Sequence, residues 1–152
     1  NCSSLTSITI PDGVTSIGDN TFSGCSGLTS VTIPDGVTSI GYNAFSGCSG
    51  LTSITIPDSV TSIGASAFTG CSGLTGITIP DGVTSIGISA FSGCAGLISV
   101  VCNPIVAPSL GSDAFTNNHN ERKIYVPAGS VDAYRAASGW SVYADDIEAI
   151  QE

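Results

Sequence analysis

Four consecutive copies of one 23-residue unit fill residues 5–27, 28–50, 51–73 and 74–96, and a chain that repeats itself this closely must fold into an object that repeats as well. Leu5, Leu28, Leu51, Leu74 and Leu97 stand 23 residues apart, as do Phe22, Phe45, Phe68 and Phe91. A fixed period of this size predicts a solenoid in which each copy is one coil. A lone coil buries too little apolar surface to offset the entropy lost in ordering it, so stability has to come from stacking.

The unit reads LTSITIPDGVTSIGxxAFSGCSG. In the first copy Leu5, Ile8 and Ile10 predict a short strand, with Ile8 and Ile10 on one face and Ser7 and Thr9 on the other. Pro11, Asp12 and Gly13 supply a fixed φ, a side chain that bonds its own backbone and a residue tolerant of positive φ, which together specify a turn. Val14 and Ile17 predict a second short strand, ended by Gly18, so that stacking generates two parallel sheets. From Asp19 to Gly24 the chain offers an Asp or Asn start and points Phe22 and Cys25 the same way, which predicts a single helical or 3-10 turn.

Both ends depart from the unit. Asn1 and Cys2 take the places of Gly24 and Cys25, so the chain is expected to begin inside a coil, and the lack of Met points to a processed or trimmed end. Residues 97–127 read as a degenerate coil: Cys102 replaces the last Ile of the strand, Phe115 arrives one residue late, and Ile124, Val126 and Pro127 restart a strand. The solenoid is therefore assigned to residues 1–127 and a C-terminal cap to 128–152. In that cap Ser130 is expected to cap a helix from Val131 to Ala137, Gly139 to stop it, and Trp140, Tyr143 and Ile147 to seal the core.

Composition narrows the function classes. Twelve acidic side chains face three basic ones, Arg122, Lys123 and Arg135, all in the last third of the chain. That balance disfavours nucleic acid and anionic membranes as partners, and no apolar run approaches the roughly 18 residues of a membrane span. Catalysis is not expected either. His119, the only histidine, sits in the polar stretch NNHNERK without a nucleophile or an orienting partner in any recognisable motif. No cofactor is implied.

The period and the pattern of Leu, Ile, Ile-Pro, Val, Ile-Gly, Ala-Phe and Cys across residues 5–96 resemble the BspA-like, or Treponema pallidum type, leucine-rich repeats. The ending IYVPAGSVDAYRAASGW looks like the cap that closes such proteins in gut bacteria. The resemblance implies a leucine-rich repeat solenoid, a right-handed superhelix of short parallel strands and short helical turns with a capping helix. It also implies a cell-surface or secreted bacterial protein, some relatives being associated with adhesion to host matrix proteins or to other bacteria. No ligand-contact residues carry over.

Stacked coils turn repeated residues into columns, each with competing readings. Cys25, Cys48, Cys71 and Cys94 form one column, headed by Cys2. Roughly 4.8 Å between coils does not exclude a disulfide by Cα distance, but parallel side chains hold their Cβ atoms too far apart without strain, so a buried thiol ladder is expected. Zinc would need short Cys spacings and histidines that are absent here. Phe22, Phe45, Phe68 and Phe91 form a core ladder. Asp12, Asp35, Asp58 and Asp81 line the turns, as a calcium string or as solvated turn formers; one carboxylate per coil falls short of the roughly 6 to 8 oxygens calcium takes. The outward hydroxyls of Ser7, Thr9 and their equivalents lack aromatic anchors until Tyr125. Copies differ most after Ile-Gly, where Asp19, Tyr42, Ala65 and Ile88 align, so Tyr42, Ile88 and Tyr125 are the candidate contacts. The expected partner is a protein or a glycan; a passive spacer and an ice- or crystal-binding hydroxyl array are the alternatives.

Overall fold

The computed structural model of the chain describes residues 2–152. The first coil carries β1 (Ser7–Thr9) and β2 (Ser16–Ile17), and the second β3 (Ser30–Thr32) and β4 (Ser39–Ile40). The third holds β5 (Ser62–Ile63), the fourth β6 (Gly76–Ile79) and β7 (Ser85–Ile86), and the fifth β8 (Ser99–Cys102) and β9 (Ser109–Leu110). Then follow β10 (Lys123–Val126), a 3-10 turn at Ala128–Ser130, helix α1 (Val131–Ala136), a second 3-10 stretch at Ser141–Asp146 and β11 (Ile147–Ala149).

All these strands pair in parallel, each residue against its equivalent one coil on. Ile8 faces Val31, and Ile17, Ile40, Ile63 and Ile86 follow one another along the second sheet. Between β7 and β9 the offset grows by one residue, Ile86 facing Leu110, while β6 still meets β8 with Ile79 facing Cys102. The extra residue therefore lies between Cys102 and Ser109.

Three features differ from what the sequence led us to expect. The first sheet is interrupted: β1 pairs with β3, and β6, β8, β10 and β11 form a separate group, with only a bridge from Thr32 to Thr55 at the third coil. Residues 51–56 repeat the side chains of 5–10, and nothing in them explains the interruption. Second, the third side of each coil is neither a helix nor a 3-10 turn. Asn20, Asn43, Ser66 and Ser89 adopt φ between 55° and 57° or, for Asn43, 53°, and Gly24, Gly47, Gly70 and Gly93 all have φ of 72°. These left-handed residues aim alternate backbone N–H groups at the next coil, where a helix would turn them inward. Asn20, Phe22 and Gly24 donate to the carbonyls of Tyr42, Ala44 and Ser46 at 2.8, 2.8 and 2.7 Å, and the same set recurs from each coil to the next. A third ladder of hydrogen bonds thus joins the coils. Third, Gly41, Gly64 and Gly87, the equivalents of Gly18 in the later coils, do more than end a strand: a Cβ on Gly64 would lie 2.7 Å from the carbonyl carbon of Gly41. The glycine is there because two backbones approach too closely for any side chain.

Inside the three ladders the core is a set of columns. Leu28, Leu51, Leu74 and Leu97 are fully buried, as are Phe45, Phe68 and Phe91. Phenyl rings from Phe22 to Phe91 stack at 5.2 Å between centroids, and Phe115 continues the stack at 5.5 Å. Each such contact contributes about 0.5–1.5 kcal/mol beyond area burial.

The cap ends the columns with side chains that the repeat does not contain. Trp140 tilts against Phe115 at 6.0 Å, Tyr143 meets Phe115 edge-on at 5.6 Å, and Tyr134 meets Trp140 edge-on at 4.9 Å. β11 was not anticipated; it adds a parallel strand beside β10, with Ile124 facing Ile147. Ser130 makes no capping bond to α1 and instead donates to the Ile105 carbonyl at 2.7 Å. Arg122 is buried, donates to the Phe115 carbonyl at 2.6 Å and pairs with Asp146, its guanidinium 5.0 Å from the Tyr143 ring centroid. Lys123 pairs with Glu148 at 2.8 Å in the open, where such a pair adds little.

Candidate binding surface

The cysteine column is interior. Cys25, Cys48, Cys71, Cys94 and Cys102 are buried free thiols, and Cys2 is exposed on the open first coil. Three of the thiols reach back one coil: Cys48 donates to the Phe22 carbonyl at 3.1 Å, Cys71 to Phe45 at 3.2 Å and Cys94 to Phe68 at 3.1 Å. Burial pushes the Cys48 thiol up to about 11, with the Cys25 thiol adding to it. Cys71 is raised by its Cys94 neighbour and by burial, and Cys102 by burial alone. These groups stay protonated and unreactive; their chemistry is that of packing.

Asp12, Asp35, Asp58 and Asp81 are all exposed at the turns. Among the described residues no group of three or more His, Cys, Asp or Glu side chains is placed to hold a metal ion. His119 is exposed, its Nδ1 accepting the Glu121 backbone N–H at 3.2 Å, with no nucleophile bonded to it.

Outside the core, large apolar side chains are scarce and sit at particular places. Tyr42 is 50% exposed and Ile88 56% exposed. Both belong to the position after Ile-Gly, two coils apart, with Ala65 between them: Asn43 donates to the Ala65 carbonyl and Ser66 to that of Ile88. Here the third ladder fixes the backbone, and the side chain is free to vary. Tyr125 lies elsewhere, half-buried on the outer face of β10 between Val101 and Glu148, so the three candidates do not form one site. Sequence reasoning missed the most exposed aliphatics, Ile105, Val106 and Val142, at 76, 82 and 76%. Ile105 and Val106 flank a groove of about 450 Å³ against Asp81, Val83 and Thr84 of the preceding coil. A signal did exist, since two adjacent β-branched residues between Pro104 and Pro108 are out of keeping with a polar turn.

Among the described residues no helix is long and apolar enough to cross a membrane. What remains is an elongated stack with a hydroxyl-rich surface and a few fixed apolar points.

Comparison with known proteins agrees with that architecture. The family described as BspA type leucine rich repeat region matches residues 1–130 in six copies. A leucine-rich repeat protein from T. pallidum superposes with a TM-score of 0.74 at 32% identity, covering 81% of this chain and 59% of its own. The pneumococcal vaccine antigen PcpA gives 0.73 at 21% identity over 97% of this chain and 42% of its own, a likeness of fold. A leucine rich cell surface protein from Faecalibacterium prausnitzii gives 0.53 at 33% identity, covering 80% of this chain and 41% of its own. The chain therefore spans between 41 and 59% of the lengths of these three structures. No curated protein matches it. With its 23-residue coils, its Phe and Cys columns and a family match over most of its length, this chain belongs to the BspA type leucine-rich repeat family.

Proposed function

We propose that the solenoid is a noncatalytic binding module of a cell-surface or secreted protein, taking a protein or glycan partner on its outer surface. The observation that carries this reading is the exposure of Tyr42 and Ile88 at one repeat position, the large apolar side chains that stand exposed on the four regular coils. Large apolar side chains in water are tolerated singly, but two in line on a rigid frame offer contact area without a loss of order on binding. The cell-surface relative from F. prausnitzii supports the location. The buried thiols of Cys48, Cys71 and Cys102 are held protonated by packing, which fits a module without thiol chemistry of its own.

The test is a binding screen of the folded domain at micromolar concentration against immobilised matrix proteins and mucins. Saturable binding that weakens in Tyr42→Ser and Ile88→Ser supports the reading; silence across the screen overturns it.

A passive spacer that positions other domains is the second reading, favoured by the near-identity of the coils. Full activity of a longer protein after removal of one whole 23-residue unit would favour the spacer over the binding module.

A further inference from the structure

The turn joining β8 to β9 departs from every other turn of the stack. Earlier coils turn through Pro-Asp-Gly-Val or, once, Pro-Asp-Ser-Val; this one reads Asn103, Pro104, Ile105, Val106, Ala107, Pro108. Three cap side chains hold its backbone from inside. Tyr134 donates its hydroxyl to the Pro104 carbonyl at 2.6 Å, Ser130 its hydroxyl to Ile105 at 2.7 Å, and Trp140 its indole N–H to Pro108 at 2.7 Å. All three donors are buried, so these bonds are shielded from competing water. Pro104 and Pro108 are buried as well, fixing φ near both ends of the loop. Ile105 and Val106 nevertheless point outward, 76 and 82% exposed. A turn that only reverses the chain would use the Asp and Gly or Ser of the other coils, where Val37, Val60 and Val83 turn inward and are buried. This loop instead displays two β-branched side chains on a clamped backbone, an arrangement that loses little order on binding.

Beside the loop lies the groove of about 450 Å³, with Val83 and Ala107 on its apolar wall and Asp81 at its rim. Asp81 is the last of the turn carboxylates, and no cation occurs in the first 121 residues. Further on, Arg122 pairs with Asp146, Lys123 with Glu148, and Arg135 donates to the Ile147 carbonyl. An approaching partner therefore meets apolar contact area under a negative potential. No aromatic ring lines the groove to stack on a sugar, which favours a polypeptide.

Building on the binding-module reading, we propose that loop 103–108 and its groove dock a cationic polypeptide segment bearing aliphatic side chains. Ile105 and Val106 pack on its apolar residues, and Asp81 meets its Lys or Arg.

A fluorescent short peptide of alternating lysine and leucine is the probe, followed by anisotropy and by 15N chemical shifts of the whole chain. Saturable binding is expected, with shifts confined to residues 81–84 and 103–108. The double variant Ile105→Ser, Val106→Ser should weaken it about tenfold or more, and Asp81→Asn about threefold. Both variants alter exposed side chains and leave the cap bonds in place, so their melting points should match the parent. Serine in place of leucine, or glutamate in place of lysine, should abolish probe binding. Equal affinity in the double variant, no binding at all, or partition of the chain into phosphatidylcholine vesicles that depends on Ile105 and Val106 would each overturn the assignment. Should matrix proteins bind through Tyr42 and Ile88 while the peptide ignores the loop, only the docking site fails; the binding-module reading would stand.

Discussion

At the N-terminal end the first coil leaves Leu5, Ile8 and Val14 only partly buried, and Phe22 has a ring neighbour on one side alone. At the C-terminal end Phe115 is buried beneath Trp140 and Tyr143, and Ile147 is fully covered. The same unit of packing stands behind both, yet within the described residues the first coil is covered by a neighbour on one side and the last coil is sealed by side chains of the cap. Translation of identical coils buries everything except the last layer, because each coil covers its neighbour and none covers itself. Closing the stack takes side chains of another kind: a wide indole over the phenyl column, and buried Tyr, Ser, Trp and Arg donors that satisfy backbone carbonyls of the last coil. The cap is thus richer in side-chain hydrogen bonds than any coil, and the three cations lie in it or just before it, Arg135 within and Arg122 and Lys123 at the start of the strand that leads into it.

Removing the seal should break this contrast most visibly. Trp140→Ala is expected to cost about 3–5 kcal/mol, measured by urea denaturation, and to make the C-terminal end resemble the N-terminal one. In the same experiment Phe22→Ala should cost less than Phe68→Ala, whose ring is sandwiched; equal losses would mean that the first coil is packed as well as the middle of the stack.

Glycine sharpens the comparison at a single repeat position. Gly64→Ala drives a Cβ into the Gly41 backbone and should cost roughly 2–3 kcal/mol, whereas Gly18→Ala meets only the Thr21 hydroxyl, at 3.4 Å, and should be close to neutral. Thermal melts of the two variants decide the point.

Thiol titration separates surface from interior. Burial raises Cys48 from its ordinary 9.0 to about 11, and Cys71 and Cys102 also shift upward. Their folded-state values exceed the unfolded ones, so the unfolded chain sheds thiol protons first as pH rises. These thiols should leave stability unchanged below about pH 8.5 and lower it toward pH 11, by roughly 2 kcal/mol from Cys48 alone with Cys71 and Cys102 adding to the loss, and with a shallower fall in Cys48→Ala. At neutral pH Cys2 should react with a thiol reagent at once and the buried cysteines only on unfolding.

The smallest effect concerns the left-handed turns. Asn20 and Asn43 suit positive φ, whereas Ser66 and Ser89 hold the same conformation at φ of 56° and 55°. Ser66→Asn should raise stability by about 0.5 kcal/mol, detectable as a small increase in melting temperature.

Why some of this could be read in advance and some could not comes down to repetition. Leu28, Phe45 and Ile40 recur at fixed spacing, so their burial in columns followed from the period. The third ladder did not, since its bonds lie in the backbone; only the Asn at positions 20 and 43 hinted at left-handed turns. Gly64 was legible as a strand end and not as a point of close approach, because the distance between coils is set by the whole stack. Ser130 and Arg122 occur once, without copies to average over, and both bond to carbonyls or side chains remote in sequence. Tyr42 and Ile88 were readable as variable positions, while the Ile105–Val106 loop became meaningful only when its clamps were seen.

Phenyl rings 5.2 Å apart at every step from Phe22 to Phe91 carry one more implication. Excising residues 51–73 would bring Phe68's successor onto Phe45 with an unchanged set of junctions, so whole units can be gained or lost without redesigning either terminus. Reach is then an inheritable dial, moved in increments of one ring spacing, and selection can tune how far this module extends while leaving its chemistry alone.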